Sequence, residues 1–189
     1  MSSIFFTADT HFGHANIIKY CNRPFSSVDE MDEIIIEKWN NKVKSEDAVY
    51  HLGDFSFKKA DKYLSKLNGY KIFTTGDHDG ALEDIERISV PLALWKTSKI
   101  QINNKKVLHI EHKKVHIFGC HWCMRTWPKS HFNSWHLYGH SHGRLEPIGK
   151  SWDVGVDNNN FEPLSFDEIV EIMKNRPDNP NLMSDYHNI

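Results

Sequence analysis

The chain holds 189 residues, 39% of them hydrophobic and 25% charged, with a formal net charge of −2. That composition is an ordinary globular one and excludes a disordered chain. The near balance of 23 Lys and Arg against 25 Asp and Glu excludes a global attraction to nucleic acid or acidic membranes. Residues Ile4 to Ala8 form a short apolar run that stops at Asp9, which predicts a buried strand with polar chemistry at its carboxyl end. From Ser27 to Val43 the pattern is helical. Ser27-Val28-Asp29-Glu30 reads as a capping box, and Val28, Met31, Ile35, Trp39 and Val43 mark one face. Ala48 to Leu52 predicts a second strand, stopping at Gly53-Asp54. Lys58 to Leu67 predicts a helix with Ala60, Tyr63, Leu64 and Leu67 inward, and Gly69 follows it. Tyr70 to Thr75 predicts a third strand, ending at Gly76-Asp77-His78-Asp79, with a short helix over Ala81 to Ile88.

Beyond Pro91 the pattern becomes β-rich. Leu92 to Asn103, Lys106 to Glu111, Lys114 to Gly119, Trp135 to Tyr138 and Trp152 to Val156 all read as strands. Ser165-Phe166-Asp167-Glu168 is a second capping box, opening a last helix that Arg176-Pro177 ends. The expected organisation is one α/β domain over residues 1–176 and a loosely held tail over 177–189. No run of about 18 apolar residues occurs, so no membrane-spanning helix is expected. The start of the chain lacks the basic and apolar segments of a cleaved signal, so a cytoplasmic location is expected.

Thirteen histidines outnumber ten glycines, an excess that points to an imidazole-built site. Three cysteines are too few for a disulfide scaffold at this size. Three successive predicted strands end in an acid: Asp9, Asp54 and Asp77. Ligands of α/β sheets sit beyond the carboxyl ends of strands. Asp9-Thr10-His11 and His140-Ser141-His142 each space two donors by two residues, and in extended chain such donors share a side. His121 follows another apolar strand. A donor set of oxygen and nitrogen without thiolate suits Mn²⁺, Fe, Zn²⁺ or Ni²⁺.

The ordered set Asp9-Thr10-His11, Gly53-Asp54, Gly76-Asp77-His78-Asp79, His121 and Gly139-His140-Ser141-His142 resembles the signature of the calcineurin-like metallophosphoesterase superfamily. The flanking Phe12-Gly13-His14 and Trp135-His136-Leu137-Tyr138 resemble its small single-domain bacterial and phage members. The resemblance implies a four-layer αββα sandwich of two mixed β-sheets flanked by helices. It implies two divalent transition-metal ions, manganese foremost. Asp9, His11 and His142 would hold one, Asp77, His121 and His140 the other, and Asp54 would bridge them. His78 would be the general acid in hydrolysis of a phosphomonoester or phosphodiester by in-line attack of a bridging hydroxide. The implied partner is a small phosphoester or nucleotide. Nucleic acid and membrane are not indicated, and the oligomeric state is open.

The chain departs from the family motif at Asp77, where the family has Asn. An added negative charge there implies a tighter but less acidic metal and some repulsion of phosphate. A catalytically weak or silent metal-binding member is therefore the rival reading. Arg125, His14 and Arg23 are the candidate substrate contacts. For the segment from Arg125 to His136 two readings stand open: a loop gripping phosphate and base over the site, or a surface loop with tryptophans packed beneath it. His14 reads equally as a substrate contact or a helix cap. His51, His109 and His116 read as satisfied core or edge residues, and His112 as part of a turn. His131, His136 and His187 carry no signal above surface use. Cys120 and Cys123 read as packing residues beside His121. Asp153, Asp157 and the asparagines at 158–160 read as a turn.

Overall fold

The computed structural model describes residues 2–57, 59–80, 100–102 and 106–182. Its elements run β1 (Ile4–Thr7), α1 (Ala15–Tyr20), α2 (Val28–Lys42), β2 (Ala48–Leu52), α3 (Ala60–Leu64), β3 (Tyr70–Thr74), β4 (Ile100–Ile102), β5 (Val107–His112), β6 (Val115–Cys120), β7 (Trp135–Tyr138), β8 (Ser151–Asp153), β9 (Leu164–Ser165) and α4 (Phe166–Lys174). Short 3-10 turns cover Val156–Asn158 and Pro180–Leu182. The strands form a five-stranded sheet ordered β4-β3-β2-β1-β9 and a four-stranded sheet ordered β5-β6-β7-β8. In the first, β1 to β4 run parallel and β9 is antiparallel to β1. In the second, β5 is antiparallel to β6 and the remaining pairs are parallel. The molecule is thus an α/β sandwich of two mixed sheets flanked by helices.

Strand alternation divides the interior. Phe5 points into a core built with Ile17, Met31, Ile35, Trp39, Tyr63 and Phe73, where α1, α2 and α3 cover one face of the first sheet. Its neighbour Phe6 points to the other face, into a core shared with Leu52, Ile110, Ile117, Leu137, Ile169 and Met173. That second core lies between the sheets and takes in the apolar face of α4.

Local chemistry explains most boundaries. Ser165 and Glu168 form the full reciprocal capping box at the start of α4. The box expected at α2 is only half made. Ser27 Oγ accepts from the Glu30 amide, but the Glu30 carboxylate accepts from Ser26 instead. The third helix is shorter than its pattern, because Lys59 enters the left-handed region (φ 55°) at its start. The strand expected over 152–156 stops at Asp153. There the chain turns, with Asp153 Oδ1 accepting from Gly155 N, and rejoins the end of β1 through Val156 N to Ala8 O. The helix expected at 81–88 and most of the strand expected at 92–103 lie outside the described residues. Helix α1 and strand β9 had no signal in the pattern. The tail is not loose where it is described. Asn179 is fully buried, donating through its amide to Ser130 O and through its side chain to Arg125 O.

Candidate metal centre

The tips of β1, β2, β3, β6 and β7 converge. Each carries its polar residues on a loop that leaves the sheet abruptly, and the backbone shows how. Asp9, His11, Asp54, His140 and His142 all have positive φ, between 49° and 66°. For non-glycine residues this conformation costs about 1–2 kcal/mol each. It persists only where surrounding bonds over-determine it. Those bonds are present: Asp9 N donates to Gly53 O, His11 N to Asp54 O and Phe12 N to Phe55 O, extending the β1–β2 pairing past the strands. Gly139 is required for a different reason. A Cβ there would lie 2.6 Å from Asp9 Oδ2, in the space through which His140 N donates to that oxygen.

The side chains form two groups around one shared carboxylate. Asp9, His11 and His142 bring ligand atoms within 4.8 Å of one another, and so do Asp77, His121 and His140. Asp54 Oδ2 lies 3.4 Å from His11 Nε2 and 3.5 Å from His121 Nε2. Asp77 Oδ2 lies 3.4 Å from His140 Nδ1 and 4.0 Å from His121 Nε2. His78 stands beside the first group, its ring 5.7 Å from that of His11, and its amide donates to Asp54 Oδ1 at 2.9 Å.

Two imidazoles are aimed by bonds on their far sides. His121 Nδ1 donates to Leu52 O at 3.0 Å, and His142 Nδ1 to Asp157 Oδ2 at 2.7 Å. Each ring thereby turns a lone pair on Nε2 toward the centre, the arrangement by which proteins orient metal-binding histidines. Several buried polar atoms have no hydrogen-bond partner among the described residues: Asp9 Oδ1, both ring nitrogens of His11, and His121 Nε2. Buried polar groups are rarely left so.

The electrostatics agree. Burial, reinforced by the nearby Asp153 and Asp54 charges, pushes the Asp9 carboxyl well above its usual value. Burial, then the charge on Arg23 and the neighbouring imidazoles, holds His11 far below the ordinary histidine value. Burial likewise lowers His121. Packed carboxylates among neutral imidazoles form a site that a cation would satisfy. The donor set, all oxygen and nitrogen, fits divalent transition metals.

The supporting residues correct several sequence readings. Arg23, a candidate substrate contact in the sequence, is engaged inside the protein. It is buried, and its guanidinium donates to both carboxylate oxygens of Asp157 and to the carbonyls of Asp9 and Thr10. Asp157 is no mere turn residue, since it joins Arg23 to His142. Burial would raise its carboxyl, but the hydrogen bonds from His142 and Arg23 bring it below its usual value. Asp153 accepts from Ser141 Oγ and Gly143 N, fixing the loop that carries His140 and His142. Asp79 accepts from Asp54 N, Phe55 N and Gly76 N, tying the β2 and β3 loops together, and burial raises its carboxyl to about 6.

His136 is not at the surface either. It is fully buried between Phe118 O and Met124 N, stays neutral because burial lowers it to about 4, stacks on Tyr138 and meets the Trp127 ring at a tilt. The segment after Arg125 therefore has its tryptophan packed beneath it, and Arg125 itself donates to Asn181. His51 is a core residue as expected but only half satisfied: Nε2 pairs with Thr10 Oγ1, while Nδ1 is buried without a hydrogen-bond partner among the described residues. His112 ends β5 and packs edge-on against Phe166. His14 occupies the N-cap position of α1 without making a side-chain cap, and lies 6.1 Å from the His78 ring. Cys21, Cys120 and Cys123 are free thiols.

A sandwich of two mixed sheets with paired His and Asp clusters at the strand tips matches the architecture that the sequence resemblance implies, and it carries a candidate dinuclear metal site. No family model matches the chain. It is 36% identical over 190 residues to the uncharacterized protein MJ1445 of Methanocaldococcus jannaschii, covering 92% of this chain and 93% of that protein. The chain belongs to the same family as that archaeal protein. The Gene 66 protein of Mycobacterium phage L5 is 33% identical over 86 residues, 42% of this chain and 41% of the phage protein. Among solved structures, the protein of unknown function AQ665 from Aquifex aeolicus superposes with a TM-score of 0.67 at 25% identity, over 91% of this chain and 100% of that one.

Proposed function

We propose that the protein is a metal-dependent phosphoester hydrolase acting on a small phosphomonoester or phosphodiester. The observation that carries this reading is the placing of the Asp54 carboxylate between His11 and His121, 3.4 and 3.5 Å away, with a further carboxylate–imidazole group on each side. Asp9, His11 and His142 would hold one divalent ion and Asp77, His121 and His140 the other, with Asp54 common to both. Two such ions would supply Lewis acidity toward phosphoryl oxygens and nucleophile activation near neutral pH.

The remaining chemistry belongs to the chain. Hydrolysis adds water across a P–O bond, so the departing oxygen must gain a proton. His78 is the group placed to give it, on a loop fixed by its own amide bond to Asp54. An imidazole is a common general acid in such steps. Asp77 brings a carboxylate where a neutral amide would leave the site less negative, which lowers turnover without removing a ligand.

The test is metal analysis together with hydrolysis of bis(p-nitrophenyl) phosphate in the presence of Mn²⁺. About two ions per chain and metal-dependent turnover are expected. His78→Ala should lower turnover by about 10²–10⁴-fold, the usual span for a lost general acid, with metal content unchanged. A wild-type protein that binds the ions but turns over no phosphoester would establish the silent alternative.

A further inference from the structure

Beside His78 the surface is aromatic, and the preceding reading leaves those rings without a task. The His14 ring stacks on Phe57 with centroids 4.7 Å apart and planes 12° from parallel. Tyr20 meets His14 edge-on at 6.3 Å. Tyr20 is 65% exposed and Phe57 44% exposed, so both are large apolar side chains held at the surface. An exposed cluster of this kind next to a polar centre marks a binding surface more often than chance packing. The backbones that carry the two exposed rings are tied down. Phe57 N donates to Phe12 O, and Arg144, from the loop just after His142, donates through its guanidinium to Tyr20 O. His14 Nδ1 is buried and has no hydrogen-bond partner among the described residues.

We propose that Tyr20, Phe57 and His14 form a platform that stacks a planar ring carried by the leaving group, making the substrate class a phosphoester of a nucleoside or aryl alcohol. This rests on the hydrolase reading in one respect: the group that protonates the leaving oxygen, His78, is the one the platform adjoins, 6.1 Å from His14 between ring centres. A ring lying against Phe57 and Tyr20 would set the ester oxygen on the His78 side of the metal cluster. Aromatic stacking tolerates any base, because every base offers a π-face. The platform therefore selects for a flat unsaturated group and not for one nucleobase. It also leaves the Arg125 segment out of substrate recognition.

The experiment is isothermal titration of the manganese-loaded protein with AMP and with ribose 5-phosphate, which share a phosphoryl group and a sugar and differ by the base. p-Nitrophenyl phosphate against methyl phosphate is the aryl arm. AMP should bind about 5- to 100-fold more tightly than ribose 5-phosphate, the span of one base stacked on an aromatic side chain. In Phe57→Leu that ratio should collapse toward one. Tyr20→Leu, at a still more exposed position, should reduce it by a smaller factor and guards against a folding defect in the first variant. Equal affinity for AMP and ribose 5-phosphate in the wild type, including no binding of either, overturns the platform, as does a ratio untouched in both variants. A base-dependent ratio without hydrolysis of any phosphoester keeps the platform and removes the hydrolase. Hydrolysis without preference for the ring-bearing partner does the reverse.

Discussion

The two halves of the metal cluster differ in how they are held. The inner half, Asp9, His11 and His142, is almost sealed, and a chain of bonds runs outward from it: His142 to Asp157, Asp157 to Arg23, Arg23 back to the carbonyls of Asp9 and Thr10. The outer half is open. Its His121 is buried, but the side chains of Asp77 and His140 are 46% and 52% exposed, and the second bond that Asp77 makes is from Trp122 Nε1. One position is therefore preorganised before any ion arrives, while the other is completed by side chains that solvent can still move. The inner ion should bind more tightly and exchange more slowly.

The sharpest test of that difference removes what the halves share. Asp54→Ala should bring metal content from about two ions to fewer than one and abolish measurable phosphoester turnover. Retention of both ions would show that they do not depend on a common carboxylate. A smaller and selective effect is expected from Asp157→Asn. Loss of the carboxylate that orients a ligating histidine costs about 10–100-fold in metal affinity. Competition with a chelator should show that loss at the tighter of two sites only. An equal loss at both would erase the distinction between the halves. The smallest effect belongs to Asp77→Asn, which restores the neutral oxygen donor of the resembling family. Turnover should rise a few-fold and the weaker ion should bind no more tightly than before. Identical rates at identical metal content would mean that the extra charge has no catalytic consequence.

The residues of the candidate cluster were legible in the sequence because each lies in a short run at a strand end, where local spacing sets direction. The strands themselves were legible for the same reason: Ala48 to Leu52 and Trp135 to Tyr138 match their predicted spans. What holds the ligands was not legible. Arg23 and Asp157 are 134 residues apart, and nothing near either one announces a partner. Arg23 before Pro24 read as a candidate substrate contact. Asp157 ahead of three asparagines looked like a turn. His136 gave no hint of burial, since its role depends on Met124 crossing over the face of β7. Tyr20 and Phe57 each meet His14, at the start of a helix too short to show a period. Pairwise chemistry over long separations is a property of the fold, and only the fold reveals it.

Strand β1 has a consequence beyond placing Asp9. Phe5 and Phe6 feed different interiors, and the same few residues lead directly into Asp9 and His11. A slip of one residue in this strand would exchange the contents of both interiors and rotate the acid and imidazole away from their companions. Folding fidelity and ligand geometry are thus a single requirement here. An insertion or deletion between Ile4 and Ala8 has no mild form.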